Sequence, residues 1–96
     1  MTFEAFKKSL TQSSPPPGLT PVLLALWHDA RGDWARAHNI TQDIESSDAA
    51  WVHAYLHRKE GDLSNAGYWY RRADRQTATD ALEAEWERLV RAFLLP

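Results

Sequence analysis

Cysteine is absent from the 96-residue chain, which excludes disulfide bonds and thiolate metal sites. No apolar run approaches the roughly 18 residues that a membrane-spanning helix needs, and residues 1–8 lack the basic-then-apolar order of a secretory signal. Neither sign of charge dominates, because 11 basic and 13 acidic side chains are interspersed and the net charge is only −2. The concentrated basic face that nucleic acid needs is therefore missing. These absences predict a cytoplasmic protein that binds neither membranes nor nucleic acids.

Glycine is scarce, and two of the four glycines occur in matching stretches of sequence. Residues 28–37 and 57–66 both read His-x-x-x-Gly-Asp-apolar-x-x-Ala, and the two copies start 29 residues apart. A repeat at a fixed period is typical of stacked helical pairs. The glycine permits the left-handed conformation that ends one helix, and the aspartate can cap the next. Each junction is so short that its two helices must fold back as an antiparallel hairpin.

Capping residues and helix breakers divide the chain into helices, and no stretch shows the alternating pattern of a strand. A short helix is predicted over 2–10 and a proline-rich segment over 13–18, which acts either as a spacer or as a tether. Further helices are predicted over about 21–31, 33–44, 48–60 and 63–74, and from Asp80 onward. The expected fold is one all-α globular domain. Residues 1–18 form the N-terminal helix and linker, and residues 19–96 form two hairpins with a C-terminal capping helix.

The turn pattern of the two copies resembles that of tetratricopeptide repeats and their Sel1-like relatives. In those families a Gly-Asp-aromatic turn is followed by an alanine three residues after the aromatic, as in 32–37 and, with leucine, in 61–66. The resemblance implies stacked hairpins that leave a concave groove for a peptide. The period of 29 is shorter than the usual spacing of about 34 residues. Two copies are also fewer than the roughly three that such arrays need, so flanking helices or a second subunit must complete the core.

The stretch 51–72 also resembles a group of small uncharacterised bacterial proteins, which implies no activity. Within it, Trp51, Tyr55 and Arg58 are three and four residues apart and share one helix face. In the repeat families this register lines the groove. With His57 nearby, the stripe is suited to a peptide or a small anionic ligand, through stacking and a bidentate carboxylate contact. The competing interpretation is that both aromatic rings pack against a neighbouring helix and Arg58 is solvated.

A second aromatic and basic patch follows, in which Trp69 and Arg72 share a face and belong to the predicted ligand-binding residues. Such a patch can grip phosphate or single-stranded nucleic acid, but acidic neighbours and the negative net charge favour a solvated face. No nucleophile–base pair and no glycine-rich phosphate loop is readable, so no catalytic residue is predicted. The sequence thus predicts a non-catalytic interaction module with a protein or peptide partner, one form of which is a homodimer.

The alternative function rests on His53 and His57, an i,i+4 pair, with Glu60 on the same side one turn further. Two imidazoles and a carboxylate can make an open zinc or non-haem iron site, in a metal-binding protein or a small metal-dependent enzyme. Ala54 follows His53, so the general-base glutamate of metalloprotease helices is missing. His28 can join the set if the hairpins stack in parallel. The simpler interpretation is that the histidines are hydrogen-bonded core residues, and under it no cofactor is expected.

Overall fold

The computed structural model describes residues 1–94, and these residues form six α-helices and no strand. The helices are α1 (Phe3–Ser9), α2 (Pro21–Ala30), α3 (Trp34–Gln42), α4 (Ser47–Lys59), α5 (Leu63–Arg72) and α6 (Leu82–Leu94). The predicted all-α class is confirmed. None of these six helices is long and apolar enough to cross a membrane.

Both Gly-Asp junctions end one helix and begin the next, as the repeated sequence predicts. Gly32 has a φ of 88° and Gly61 a φ of 90°, in the left-handed region where any other side chain is strained. The N–H groups of each glycine and of the aspartate after it donate to carbonyls of the preceding turn, as in a Schellman motif. The side chain of each aspartate then accepts from a backbone N–H of the following helix. Local sequence alone therefore sets both junctions.

The helices pack in consecutive pairs, α2 with α3 and α4 with α5, and α3 also contacts α4. Buried alanines, among them Ala37, Ala54 and Ala66, allow the helix axes to approach closely. The last helix, α6, lies against α2 and α4, the first helix of each pair. It therefore occupies the side of the array on which the sequence predicts a groove.

The N-terminal helix α1 packs against α6 and shares the core with the rest of the chain. The rings of Phe3 and Phe6 both lie 5.9 Å from the ring of Trp86, measured between centroids. The indole N–H of Trp27 donates to the hydroxyl of Ser9 at 3.2 Å. The helices that flank the two pairs therefore supply part of the burial that a short array lacks.

The ends of the last two helices differ from the prediction. α5 ends at Arg72, because Asp74 adopts a left-handed conformation with a φ of 57°. α6 begins at Leu82, and the carboxylate of Asp80, the predicted cap, pairs with the guanidinium of Arg88 at 2.7 Å. Both changes lengthen the connection between the two helices.

Candidate functional site

Three histidines from two helices lie together where α3 contacts α4. His53 and His57 are one turn apart on α4, and His38 reaches them from α3. One nitrogen of each ring lies within 4.8 Å of the others, and the Nε2 atoms of His38 and His53 are 3.0 Å apart. These three residues are called the histidine cluster below.

Two tryptophans hold the rings of the histidine cluster in place. Trp34 stacks on His38, with centroids 4.9 Å apart and an interplanar angle of 11°. Trp69 stacks on His53 in the same way, at 4.0 Å and 12°. The indole N–H of Trp34 donates to the backbone carbonyl of Leu56 at 2.8 Å, which fixes the tryptophan itself. The imidazoles are therefore packed into defined orientations, as a preorganised site requires.

The protonation of His57 follows from its contact with a carboxylate. Its Nδ1 lies 2.7 Å from Oε1 of Glu60, and an ionised carboxylate can only accept a hydrogen bond. In the neutral ring Nδ1 therefore carries the proton, and Nε2 has the lone pair. The amide nitrogen of Asn65 lies 3.3 Å from that Nε2 and donates to it. A carboxylate behind the ring is the arrangement that orients histidine ligands in metal sites.

His53 is 4% exposed, and its Nδ1 is the one buried side-chain nitrogen or oxygen of residues 1–94 that has no hydrogen-bond partner. Its Nε2 faces the Nε2 of His38, and the pair can place only one proton between them. Leaving a buried nitrogen without a partner costs about 1–3 kcal/mol. The simpler interpretation, a hydrogen-bonded core histidine, therefore fits His57, which pairs with Glu60, but it leaves one nitrogen of His53 unaccounted for.

Burial favours the neutral form of two of these rings, His53 and His38. Burial, with smaller contributions from the charges of His38 and His57, lowers the pKa of His53 to about 4. Burial and the His57 ring also lower the pKa of His38, against an opposing effect of Glu60. At neutral pH both rings offer a lone pair rather than a positive charge.

One side of the histidine cluster is open to solvent through a cleft of about 570 Å³. Besides the three histidines, the cleft is lined by Gln42, Asp43, Asn65, Tyr68 and Trp69. His38 is only half-buried and Tyr68 is exposed. An ion or small molecule can therefore reach the rings without displacing a helix.

Two residues of the predicted metal set, His53 and His57, lie in the cluster, and the third acts from behind it. Glu60 bonds to the far side of the His57 ring. His28 lies elsewhere, against Trp27 on α2, with ring centroids 5.1 Å apart. The third position in the cluster is taken by His38, which no motif in the sequence indicated. The repeat pattern could have indicated His38, because in stacked pairs the second helix of one pair contacts the first helix of the next.

The predicted binding stripe of Trp51, Tyr55 and Arg58 lies on the side of α4 that packs in the core and against α6. Trp51 is buried with its ring centroid 5.7 Å from that of Phe93, and Tyr55 is buried in the same core. The guanidinium of Arg58 donates to Oε1 of Glu85 at 2.8 Å. The two aromatic rings are thus packing residues, and Arg58 is held in an ion pair rather than solvated.

The other two predicted ligand-binding residues, Trp69 and Arg72, lie beside the histidine cluster. Trp69 covers the ring of His53, and the guanidinium of Arg72 lies 5.1 Å from the centre of the Trp69 ring. Arg72 also donates to the hydroxyl of Tyr68 at 3.1 Å. An aromatic and basic surface therefore adjoins the cleft.

Comparison of the chain with family models, with curated proteins and with solved structures gives no match. The resemblance to tetratricopeptide repeats stays a prediction from the turn pattern. The case for a function rests on the histidine cluster and its surroundings.

Proposed function

We propose that this protein binds one divalent transition-metal ion through His38, His53 and His57. The observation that carries the proposal is the convergence of three imidazoles whose nitrogens lie within 4.8 Å of one another. Imidazole nitrogens are common ligands of zinc, copper, nickel and iron. Three histidines with an open side form the donor set of a zinc site that keeps a free position. Zinc is therefore the ion proposed.

The spacing of the nitrogens supports this proposal. Tetrahedral zinc with Zn–N bonds of about 2.0–2.1 Å separates neighbouring ligand atoms by about 3.3–3.4 Å. The Nε2 atoms of His38 and His53 are 3.0 Å apart, so an ion requires them to part by less than about half an ångström. The carboxylate of Glu60 already holds the His57 ring with Nε2 directed away from it. The pair of His38 and His53 thus needs little rearrangement, and the third nitrogen lies within 4.8 Å of both.

The electrostatic state of the rings supports it as well. Metal ions bind neutral imidazole and compete with protons for it. The low pKa of His53, which burial brings to about 4, means that this ring is uncharged at pH 7, so the ion does not have to bind against a positive charge there. Burial lowers the pKa of His38 in the same direction.

Zinc titration of the tag-free full chain, after chelator treatment, tests the proposal. Isothermal calorimetry is expected to give one ion per chain. The variants His38→Gln, His53→Gln and His57→Gln each remove one ligand and are expected to lower zinc affinity at least about 100-fold. Glu60→Gln removes only the support of one ring and is expected to cost about tenfold.

His28→Gln is the matched control, because His28 lies outside the cluster on α2. It is expected to keep the affinity of the unmodified chain. The proposal would be wrong if the unmodified chain bound no zinc. It would also be wrong if the three ligand variants bound zinc with the same affinity as the unmodified chain.

A second candidate function, the predicted interaction module, is favoured by the exposed surface of α5. Tyr68 is exposed, and the guanidinium of Arg72 lies 5.8 Å from its ring centre. An aromatic ring with an arginine is typical of protein interfaces and can bind a peptide carboxylate. The molecular mass of the protein in solution distinguishes a homodimer from a monomer that binds a different partner.

A further inference from the structure

We propose that the metal ion at the histidine cluster keeps one coordination position for a small monoanion of the carboxylate class, and that the side-chain amide of Asn65 is this ligand's second contact. The inference rests on the proposed metal binding. It adds the chemical class of the ligand and the residue that recognises it.

The open position follows from the number of protein ligands. Three nitrogens leave a four-coordinate ion one ligand short. Among residues 1–94, no fourth histidine, aspartate or glutamate has a donor atom within 4.8 Å of all three histidine nitrogens. The remaining position therefore faces the cleft, whose walls include all three rings.

Asn65 stands next to that position. Its amide nitrogen lies 3.3 Å from Nε2 of His57 and donates to it. Glu60 occupies the other nitrogen of the His57 ring, so Nε2 is the atom left for an ion. An ion on Nε2 uses its lone pair, and the Asn65 N–H then loses its acceptor. Because the Asn65 N–H lies on the lone pair that the ion takes, the side chain must turn away from Nε2 when the ion binds. Its N–H then lies in the cleft beside the open position.

The charges around the site favour a ligand with a single negative charge. A divalent ion on three neutral imidazoles brings two positive charges, and the carboxylate of Glu60 behind His57 offsets one. A monoanion completes the balance. Asp43 lines the cleft and Arg72 adjoins it, over the rings of Tyr68 and Trp69, so these two charges offset each other. The balance of charge therefore disfavours a dianion such as inorganic phosphate.

The side chain of Asn65 can be removed without disturbing the N-terminal cap of α5. Its backbone N–H is bound by the cap Asp62 at 3.2 Å, independently of the side chain. Asn65→Ala therefore keeps the cap and removes only the amide. Asn39 is an exposed asparagine on α3 and provides the matched control.

The experiment uses the full chain loaded with Co²⁺, whose visible absorption reports the coordination of the ion. Titration with acetate and with azide is expected to change the spectrum and to saturate, whereas phosphate is expected to leave it unchanged. Asn65→Ala is expected to weaken acetate and azide binding about tenfold, the effect of losing one hydrogen bond to a charged group. Its Co²⁺ affinity is expected to change by less than about threefold, and Asn39→Ala is expected to change neither affinity.

The outcomes separate the two proposals. If no Co²⁺ binds, the metal proposal fails and this inference falls with it. If Co²⁺ binds but neither anion alters the spectrum, the metal proposal stands and the open position is refuted. If Asn65→Ala weakens Co²⁺ binding and leaves the anion affinities unchanged, Asn65 only orients His57, and its assigned role is wrong.

Discussion

At the scale of single residues, His53 couples the stability of the fold to pH. Its ring stacks on Trp69 at 4.0 Å and on His57 at 4.7 Å, so it is packed as an aromatic core residue. A proton on this ring would place a charge in a buried site beside two further histidines. The folded chain therefore resists protonating His53, whereas the unfolded chain does not.

The sign of this coupling gives a prediction. The pKa of His53 falls from 6.5 in the unfolded chain to about 4 in the folded chain, with burial as the main cause. Between these values the unfolded state binds more protons, so the free energy of unfolding decreases as the pH falls. We expect His53 to account for a loss of about 2–3 kcal/mol between pH 7 and pH 4 in metal-free protein.

Urea denaturation in the presence of a chelator measures this loss. His53→Gln is the comparison, because it removes the titrating ring, and its free energy of unfolding is expected to depend less steeply on pH over the same interval. Equal pH dependence in the two proteins would contradict the assignment.

At the scale of secondary structure, the helix ends follow from glycine conformation. Gly61 has a φ of 90°, and nothing lies within 4 Å of a Cβ added there, so its requirement is conformational rather than steric. Gly67 lies inside α5, where an added Cβ would meet the guanidinium of Arg71 at an ordinary 3.6 Å. The backbone conformation therefore requires glycine at position 61, whereas at position 67 the helix has room for a side chain.

The two glycines are expected to respond to alanine with opposite signs. Gly61→Ala forces a side chain into the left-handed region and is expected to lower the free energy of unfolding by about 1–2 kcal/mol. Gly67→Ala reduces the conformational freedom of the unfolded chain and is expected to raise it by about 0.5–1 kcal/mol. Denaturant titration of both variants checks this, and a shift of the same sign in both would refute the argument.

At the scale of the whole molecule, a buried polar network holds α6 against the helical pairs. Glu85 on α6 is fully buried and accepts from the hydroxyl of Tyr70 at 2.5 Å and from Arg58 at 2.8 Å. These bonds connect α6 with α5 and with α4. Removing the carboxylate leaves the buried Tyr70 hydroxyl without its acceptor and the Arg58 guanidinium without its charged partner, with only the backbone carbonyl of Asp80 still bound to it.

Glu85→Ala is therefore expected to lower the free energy of unfolding by about 3–5 kcal/mol. Glu87→Ala is the control on the same helix, because Glu87 makes an exposed pair with Arg91 at 2.8 Å and should contribute less than about 1 kcal/mol. Thermal and urea unfolding compare the two variants. Similar effects at both positions would show that the buried network does not hold α6.

Local sequence was sufficient to predict the all-α class, the two Gly-Asp junctions and the pairing of His53 with His57. Capping, left-handed glycine and i,i+4 spacing are interactions within a few residues, so they can be read from a short stretch. The end of α5 was predicted too late, at about residue 74. Asp74 adopts the left-handed conformation that glycine usually provides, and no glycine marks this turn in the sequence.

Only the tertiary structure brought His38 beside His53 and turned the stripe of Trp51 and Arg58 toward α6. These contacts join helices that are separated along the chain. Which face of one helix meets another depends on how all the side chains fill the shared core, and no short stretch of sequence contains that information.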